Sequence, residues 1–92
     1  MKIVWTRRAD CDLDAVADYL GAGTSPPVAV RRILEAVEHL AEHPHLGRPG
    51  RIPGTRELIV SDTPYIVPYR VRGQRLEVLR VLHSARRWPD AL

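Results

Sequence analysis

The stretch RELIVSDTPYIVPYRVRGQRLEVLRVL, residues 56–82, decides the fold. It contains three β-rich runs, residues 56–60, 64–71 and 75–82, separated by the short turn segments SDT and RGQ. Turns this short join antiparallel neighbours, because a parallel crossover needs a dozen or more residues. Pro68 cannot donate to a strand ladder, so it predicts a sheet edge or a bulge in the middle run. The last run is apolar at both parities, which predicts a central strand covered on both faces.

A short strand and two amphipathic helices precede these runs. Residues 2–5, KIVW, predict the strand, and Thr6 is placed to cap the helix that follows. The first apolar stripe at helical spacing consists of Ala9, Leu13, Val16, Ala17 and Leu20. The segment GAGT ends this helix, and Ser25 is the expected N-cap of the next one. The second stripe consists of Val30, Ile33, Leu34, Val37, Leu40 and Ala41, and Pro44 ends that helix.

This order of elements predicts an α+β fold of the type β-α-α-β-β-β. Two amphipathic helices with a short link form a hairpin that must bury its apolar stripes against another layer. The small antiparallel sheet supplies that layer. At 92 residues the chain is expected to form a single domain over residues 1–92.

Charge is unevenly distributed along the chain. The net charge is +3, yet residues 1–46 carry five basic and seven acidic residues, whereas residues 47–92 carry nine and four. Thirteen of the fourteen basic residues are arginine, the side chain suited to bidentate contact with phosphate or carboxylate. We expect an anionic partner to face the second half, and the alternative is an ordinary solvated surface.

The sequence also excludes several classes of protein. No apolar run reaches the roughly 18 residues of a membrane span, so we expect no membrane contact. Cys11 is the single cysteine and cannot form an internal disulfide, which favours a reducing cytoplasm. The loop GRPGRIPGT, residues 47–55, lacks the spacing and the Lys-Ser/Thr ending of a phosphate-binding loop. We expect no nucleotide and no other cofactor.

One segment formally matches a zinc motif. HLAEH, residues 39–43, has the His-x-x-Glu-His pattern, in which histidines at i and i+4 can share a zinc ion. These residues fall on the polar side of the second helix, at its C-terminal end, where histidines also gain from the helix dipole. A third ligand and a substrate cleft would have to come from a very small chain. We therefore expect no metal site.

Charged residues on the last strands and the tail form the strongest candidate site: Arg56, Glu57, Arg70, Arg80, His83, Arg86 and Arg87. An acid–base group with guanidiniums is what metal-free RNA cleavage requires, because the phosphorane gains negative charge. The same surface equally suits an acidic protein target. These residue types do not separate the two functions.

Four segments, taken in order, resemble the RelE/ParE superfamily of bacterial type II toxin–antitoxin toxins: RRADCDLDAVADYL, LAEHPHLGRPGR, GTRELIVSDTPYIVPYRV and LEVLRVLHSARRWP. The resemblance covers essentially the whole chain and implies the same β-α-α-β-β-β fold. It further implies a growth-arresting cytoplasmic toxin held inactive by a cognate antitoxin, here expected to be ParD-like with a ribbon-helix-helix part. Contact with operator DNA would occur only through that antitoxin.

Members of this superfamily divide between two activities. RelE-like toxins cleave messenger RNA on the ribosome without metal, whereas ParE-like toxins inhibit DNA gyrase and are not enzymes. RelE-like toxins typically carry an arginine where this chain has Ile66, and Lys2 is the only lysine. The resemblance therefore favours the gyrase-directed branch, with the ribonuclease as the alternative.

The two activities assign different roles to the same residues. The catalytic candidates of a ribonuclease are His83, Glu57 and Arg80. The candidates for binding the target or the antitoxin are Arg56, Arg70, Arg80, His83, Arg86, Arg87 and Trp88. A satisfied strand-end histidine and a tryptophan that covers the core are the structural alternatives for His83 and Trp88.

Overall fold

The computed structural model describes residues 1–19 and 28–92. A strand and two helices come first: β1 (Lys2–Trp5), α1 (Arg7–Tyr19) and α2 (Val28–Glu42). Five strands follow: β2 (Arg48–Pro49), β3 (Arg56–Ile59), β4 (Tyr65–Arg72), β5 (Arg75–Val78) and β6 (Leu82–His83). The segment GAGT, Leu20 and the expected N-cap Ser25 lie outside the described residues.

The sheet has the order β1-β5-β4-β3-β2, and β6 pairs with β4. The two predicted hairpins are confirmed, because β4 is antiparallel to both β3 and β5. Gly73 has a φ of 58° in the turn between β4 and β5, a conformation that glycine adopts without steric cost. The sheet is mixed rather than wholly antiparallel, since β1 lies parallel to β5. The chain between β1 and β5 contains both helices and three strands, which is long enough to permit this parallel placement.

The third β-rich run is not one strand. It divides into β5 and β6, and the N–H groups of Leu79 and Arg80 both lie within hydrogen-bond distance of the Pro68 carbonyl, at 2.9 and 3.5 Å. Leu79 and Arg80 therefore both stand opposite Pro68, and two residues opposite one form a β-bulge. The bulge predicted from Pro68 is confirmed, but the extra residue lies in the neighbouring strand. The prediction of an unbroken central strand over residues 75–82 was wrong because Pro68 interrupts the ladder there.

Thr6 joins this bulge to the first helix. Because Pro68 has no N–H, it cannot donate to the Leu79 carbonyl opposite it. The Thr6 hydroxyl donates to that carbonyl instead, at 2.9 Å. The same hydroxyl accepts the N–H of Ala9 at 3.1 Å, so the predicted helix cap is confirmed.

Both helices pack on one side of the sheet. The buried residues of α2 are Val30, Ile33, Val37 and Leu40, and Ala9 and Val16 of α1 are buried as well. Leu34, predicted to belong to the apolar stripe, is 41% exposed. It follows Ile33 directly, and a rotation of about 100° per residue carries it away from the sheet.

The two sides of the sheet have different coverings. Tyr65, Val67 and Tyr69 of β4 belong to the core beneath the helices. Since successive strand residues point to opposite sides, Ile66 and Pro68 lie on the other side. We call these sides the helix face and the open face. Ile66 and Pro68 are nonetheless buried, so another part of the chain covers the open face at this point.

Candidate functional site

The open face carries a row of basic side chains. Register places Arg70 opposite Glu77 and Arg72 opposite Arg75, and Lys2 of β1 stands beside Arg75. Partners opposite each other in a sheet point to the same side, so all of these share the face of Pro68. We call Lys2, Arg70, Arg72 and Arg75 the basic face. Two of its members are matched by one carboxylate.

Glu77 is that carboxylate. Arg70 Nε donates to its Oε1 at 2.6 Å, and Arg72 Nε lies 3.9 Å from the same oxygen. The hydrogen bond from Arg70 lowers the pKa of Glu77 below its ordinary value of 4.5. Glu77 is therefore ionised at neutral pH and holds Arg70 in position, while Lys2 and Arg75 add further positive charge to the basic face.

A groove of about 870 Å³ runs along this face. Arg51, Arg70 and Arg72 line it together with Leu79 and the tail residues 90–92. These tail residues return along the open face. The Leu92 carbonyl accepts a hydrogen bond from Arg8 Nη1 at 3.1 Å, which brings the end of the chain back to α1.

Trp88 contacts Arg51, one of the residues that line the groove, and itself lines a smaller hollow. The guanidinium carbon of Arg51 lies 3.6 Å from the centre of the indole ring, a cation–π distance. Trp88 is half-buried, and its Nε1 atom is buried without an acceptor among residues 1–19 and 28–92. The contact of Trp88 that the structure shows is therefore with the Arg51 guanidinium, and its role as a binding residue stays a prediction.

Glu57 positions Arg51 for that contact. It is 4% exposed, and its carboxylate accepts from the Arg51 backbone N–H at 2.9 Å and from Arg48 Nη2 at 3.2 Å. The Arg51 guanidinium also lies 3.8 Å from it. Both oxygens are thus engaged in holding the loop before β3.

Arg80 is similarly engaged, with α1. Its Nε and Nη2 donate to the two oxygens of Asp12 at 2.7 and 3.1 Å. The side-chain hydrogen bond to Asp12 raises the pKa of Arg80 above its ordinary value. Each of the two side chains is 18% exposed. Arg80 therefore anchors the bulge to the helix.

His83 lies on the helix face. It pairs with Tyr65, and the two rings meet edge to face with their centres 5.5 Å apart. Its Nδ1 accepts the N–H of Ala85 at 3.1 Å, so this ring nitrogen has a hydrogen-bond partner at the end of β6. Arg86 and Arg87 are exposed, and both line a hollow of about 210 Å³ with His83 and Arg80.

Arg56 is used internally. It stands opposite Tyr69 at the edge of the helix face, and its Nη1 donates to the Gly47 carbonyl at 2.8 Å.

Of the seven binding candidates, Arg70 lies on the basic face, while Trp88 lies against Arg51 beside it. Arg86 and Arg87 lie at the tail hollow with His83, and Arg80 and Arg56 hold structural contacts.

The three ribonuclease candidates do not converge. Glu57 stands opposite Pro68 on the open face, whereas His83 stands opposite Tyr65 on the helix face. The sheet separates these two side chains, so they cannot act on one phosphodiester bond. Arg80 is held by Asp12.

Comparison with known proteins identifies the family of this fold and surface. The family model described as the ParE toxin of the type II toxin–antitoxin system, parDE, matches residues 3–88. The chain belongs to the ParE toxin family. Its members are toxins of type II toxin–antitoxin systems, and membership implies a cognate antitoxin as partner.

Individual relatives are similar to this chain over nearly its whole length. Y4kP of Sinorhizobium fredii is 45% identical over 93 residues, covering 99% of this chain and 96% of that protein. Toxin RelE2 of Caulobacter vibrioides is 40% identical over 88 residues, covering 92% and 97%. Among solved structures, the chromosomal ParDE system from P. aeruginosa matches with a TM-score of 0.78 and 35% identity, covering 90% of this chain and 95% of that one.

The basic face of this ParE-family toxin was only partly predicted. Arg70 was named as a binding candidate, whereas Lys2, Arg72 and Arg75 were missed. The spacing of the arginines in the sequence predicts this face, since Arg70 and Arg72 are two positions apart and Arg75 follows across a two-residue turn. Residues in this arrangement share one side of a hairpin.

The toxin also brings together the three residues of its formal zinc motif. The ligand atoms of His39, Glu42 and His43 all lie within 4.8 Å of one another, and the three side chains are exposed.

Neither helix in the described part of the chain is long and apolar enough to span a bilayer.

Proposed function

We propose that this ParE-family toxin arrests growth in the cytoplasm by binding and inhibiting DNA gyrase. We further propose that a ParD-like antitoxin of the ribbon-helix-helix type neutralises it and alone contacts operator DNA. The observation that carries the proposal is the separation of Glu57 and His83 on opposite faces of the sheet. Inhibition by binding needs a complementary surface and no convergent acid, base and cation.

The surroundings of Ile66 support this choice. Metal-free cleavage requires a cation beside the scissile phosphate, and loss of one such stabilising group typically costs about 100- to 1,000-fold in rate. At the position where the resemblance places an arginine in RelE-like toxins, this chain has the buried Ile66. Arg80, which could substitute, is neutralised by Asp12 at 2.7 Å.

The basic face supplies the binding surface in this proposal. Lys2, Arg72 and Arg75 are exposed, and the groove beside Arg70 has an apolar floor at Leu79. An acidic and partly apolar segment of a partner complements both properties. Charge of this kind mainly raises the association rate and selects the partner.

The ribonuclease stays the second candidate because of one observation. Toxin RelE2, at 40% identity, carries the name of the other branch. Its similarity to this chain extends over nearly the whole length, so the two activities have to be separated by assay.

Purified antitoxin-free protein separates them. We expect stoichiometric toxin to block supercoiling by gyrase and to leave ribosome-bound messenger RNA intact. Arg70→Glu/Arg72→Glu should lose inhibition, and the matched control Arg7→Glu/Arg31→Glu, at two exposed helix positions, should keep it. Codon-positioned cuts in the ribosomal A site with unaffected supercoiling would overturn the proposal.

A further inference from the structure

The C-terminal end of α2 carries three side chains that converge outside the basic face. His39 and His43 are one helical turn apart, and their ring centres are 4.7 Å from each other. Glu42 lies at i+3 from His39 and therefore projects from the same side of the helix. All three offer a ligand atom within 4.8 Å of the other two.

We propose that His39, Glu42 and His43 form a surface site for a divalent transition metal ion of the Zn²⁺ class. Imidazole nitrogen and carboxylate oxygen are the ligands that zinc takes at about 2.0–2.2 Å, and three protein ligands leave a fourth position for water. Atoms bound to one tetrahedral ion lie roughly 3.3–3.5 Å apart. Exposed side chains can close the remaining separation by rotation about their own bonds.

The backbone that carries these ligands is fixed on both sides. Leu40 is fully buried in the core, and the Pro44 carbonyl accepts a hydrogen bond from the Tyr69 hydroxyl at 2.7 Å. The N–H of His43 donates to the carbonyls of His39 and Leu40, both at 3.1 Å. The i, i+4 spacing of the histidines is thus maintained before metal binds, which reduces the ordering cost of binding.

Local charge also favours a cation at this end of the helix. Residues 35–43 contain three glutamates and no lysine or arginine. The C-terminal end of a helix presents the negative end of the backbone dipole. Both features favour a cation at this end of the helix, although Arg32 lines one hollow with Glu35 and His39 and the whole chain has a net charge of +3.

This site differs from the peptidase that the motif formally suggests. In the peptidase motif the glutamate acts as a general base, so a third metal ligand would have to come from elsewhere in the chain. In the site proposed here Glu42 is itself the third ligand. The three residues are exposed, so the site binds an ion without enclosing a substrate. Affinity should follow the order of divalent ions at nitrogen sites, with Cu²⁺ tighter than Zn²⁺ and Zn²⁺ tighter than Mn²⁺.

Calorimetry with ZnCl₂ on untagged Cys11→Ser protein tests the proposal, because the substitution removes the one thiol. We expect one Zn²⁺ per chain, and about tenfold or greater weakening in each of His39→Gln, His43→Gln and Glu42→Gln. The matched control His45→Gln, an exposed histidine three residues from Glu42, should bind as the parent does. Because these positions are exposed, circular dichroism should show each variant folded.

A second measurement locates the ion. Substoichiometric Cu²⁺ should broaden the NMR amide signals of residues 39–43 before those near His83. Equal Zn²⁺ affinity in the parent and in His39→Gln/His43→Gln overturns the proposal, as does an absence of binding at about 100 µM Zn²⁺. The result is independent of whether gyrase is the target.

Discussion

Asp12 of α1 receives three hydrogen bonds from the bulge between β5 and β6. Arg80 donates from Nε at 2.7 Å and from Nη2 at 3.1 Å, and the backbone N–H of Val81 donates at 3.0 Å. One carboxylate therefore connects α1 to Arg80 and Val81, which lie 68 and 69 positions further along the chain. The strand that leads to His83 and the tail depends on this contact for its position.

Asp12→Ala should destabilise the fold strongly. It leaves a mostly buried guanidinium and a backbone N–H without their acceptor, which costs about 2–3 kcal/mol in the free energy of unfolding. Urea unfolding measures the loss. The control Asp14→Ala, at an exposed position of the same helix, should change stability by less than about 0.5 kcal/mol. Similar losses in the two variants would contradict the anchoring role of Asp12.

Tyr69→Phe should loosen the loop after α2. The Tyr69 hydroxyl accepts the N–H of Gly47 at 2.9 Å and donates to the Pro44 carbonyl at 2.7 Å. Its removal leaves two backbone groups unsatisfied, at a cost of about 1–3 kcal/mol. Hydrogen exchange should show faster exchange at the Gly47 amide, and unchanged protection there would contradict this assignment.

Gly47→Ala tests the same contact from the other side. A Cβ at this position would lie 2.5 Å from the Tyr69 hydroxyl oxygen and 2.6 Å from the ring carbon Cε1. Because the ring is fully buried, it cannot move away, and overpacking of this kind costs about 1–3 kcal/mol. Thermal unfolding of Gly47→Ala, Tyr69→Phe and the double variant should give non-additive losses, since the two residues are in contact. Additive losses would show that they are independent.

Tyr69 should also make the fold sensitive to alkali. Burial raises the pKa of Tyr69 above 10.0, opposed in part by the Gly47 hydrogen bond and the charge of Arg56. A raised pKa in the folded state means that folding favours the protonated phenol. The corresponding stability is present below pH 10 and is lost as pH rises through the folded-state pKa. Urea unfolding between pH 8 and about 11 should therefore show a steeper loss for the parent than for Tyr69→Phe, and parallel curves would contradict it.

Local patterns in the sequence predicted most elements and their order. Period-2 runs and short turns located β3, β4 and β5, and the stripe ending at Pro44 located α2. These patterns do not state which strands are neighbours when a long connection separates them, so the parallel placement of β1 beside β5 was not predicted. The division of the last run depends on Pro68, whose missing N–H affects the strand beside it.

The site was less predictable because its decisive contacts are long-range. Glu57, Arg80 and His83 were grouped because they occupy successive strands, yet the sheet places Glu57 and His83 on opposite sides. The partner of Arg80 is 68 positions away, and no local pattern identifies it. The basic face, in contrast, follows from strand alternation at Arg70, Arg72 and Arg75.

The tail runs between the basic face and the hollow beside His83. Substitutions in the tail can therefore distinguish side chains that stabilise the fold from side chains that bind a partner. Trp88 is held by Arg51, whereas Arg86 and Arg87 are exposed. Exposed charged side chains contribute little to folding, because solvent screens them and their ordering costs entropy. At an interface the same charges govern partner choice and association rate.

Arg86→Glu/Arg87→Glu should therefore weaken partner binding far more than it changes stability. We expect affinity for the cognate antitoxin to fall by at least about tenfold, while the melting temperature stays within about 2 °C of the parent. The control Arg7→Glu/Arg31→Glu changes net charge by the same amount at two exposed helix positions and should bind the antitoxin almost as the parent does. Interferometry with immobilised antitoxin measures both variants at two salt concentrations, because interfacial charge predicts a salt-dependent association rate. Equal affinity in parent, variant and control would show that Arg86 and Arg87 are solvated side chains outside the interface.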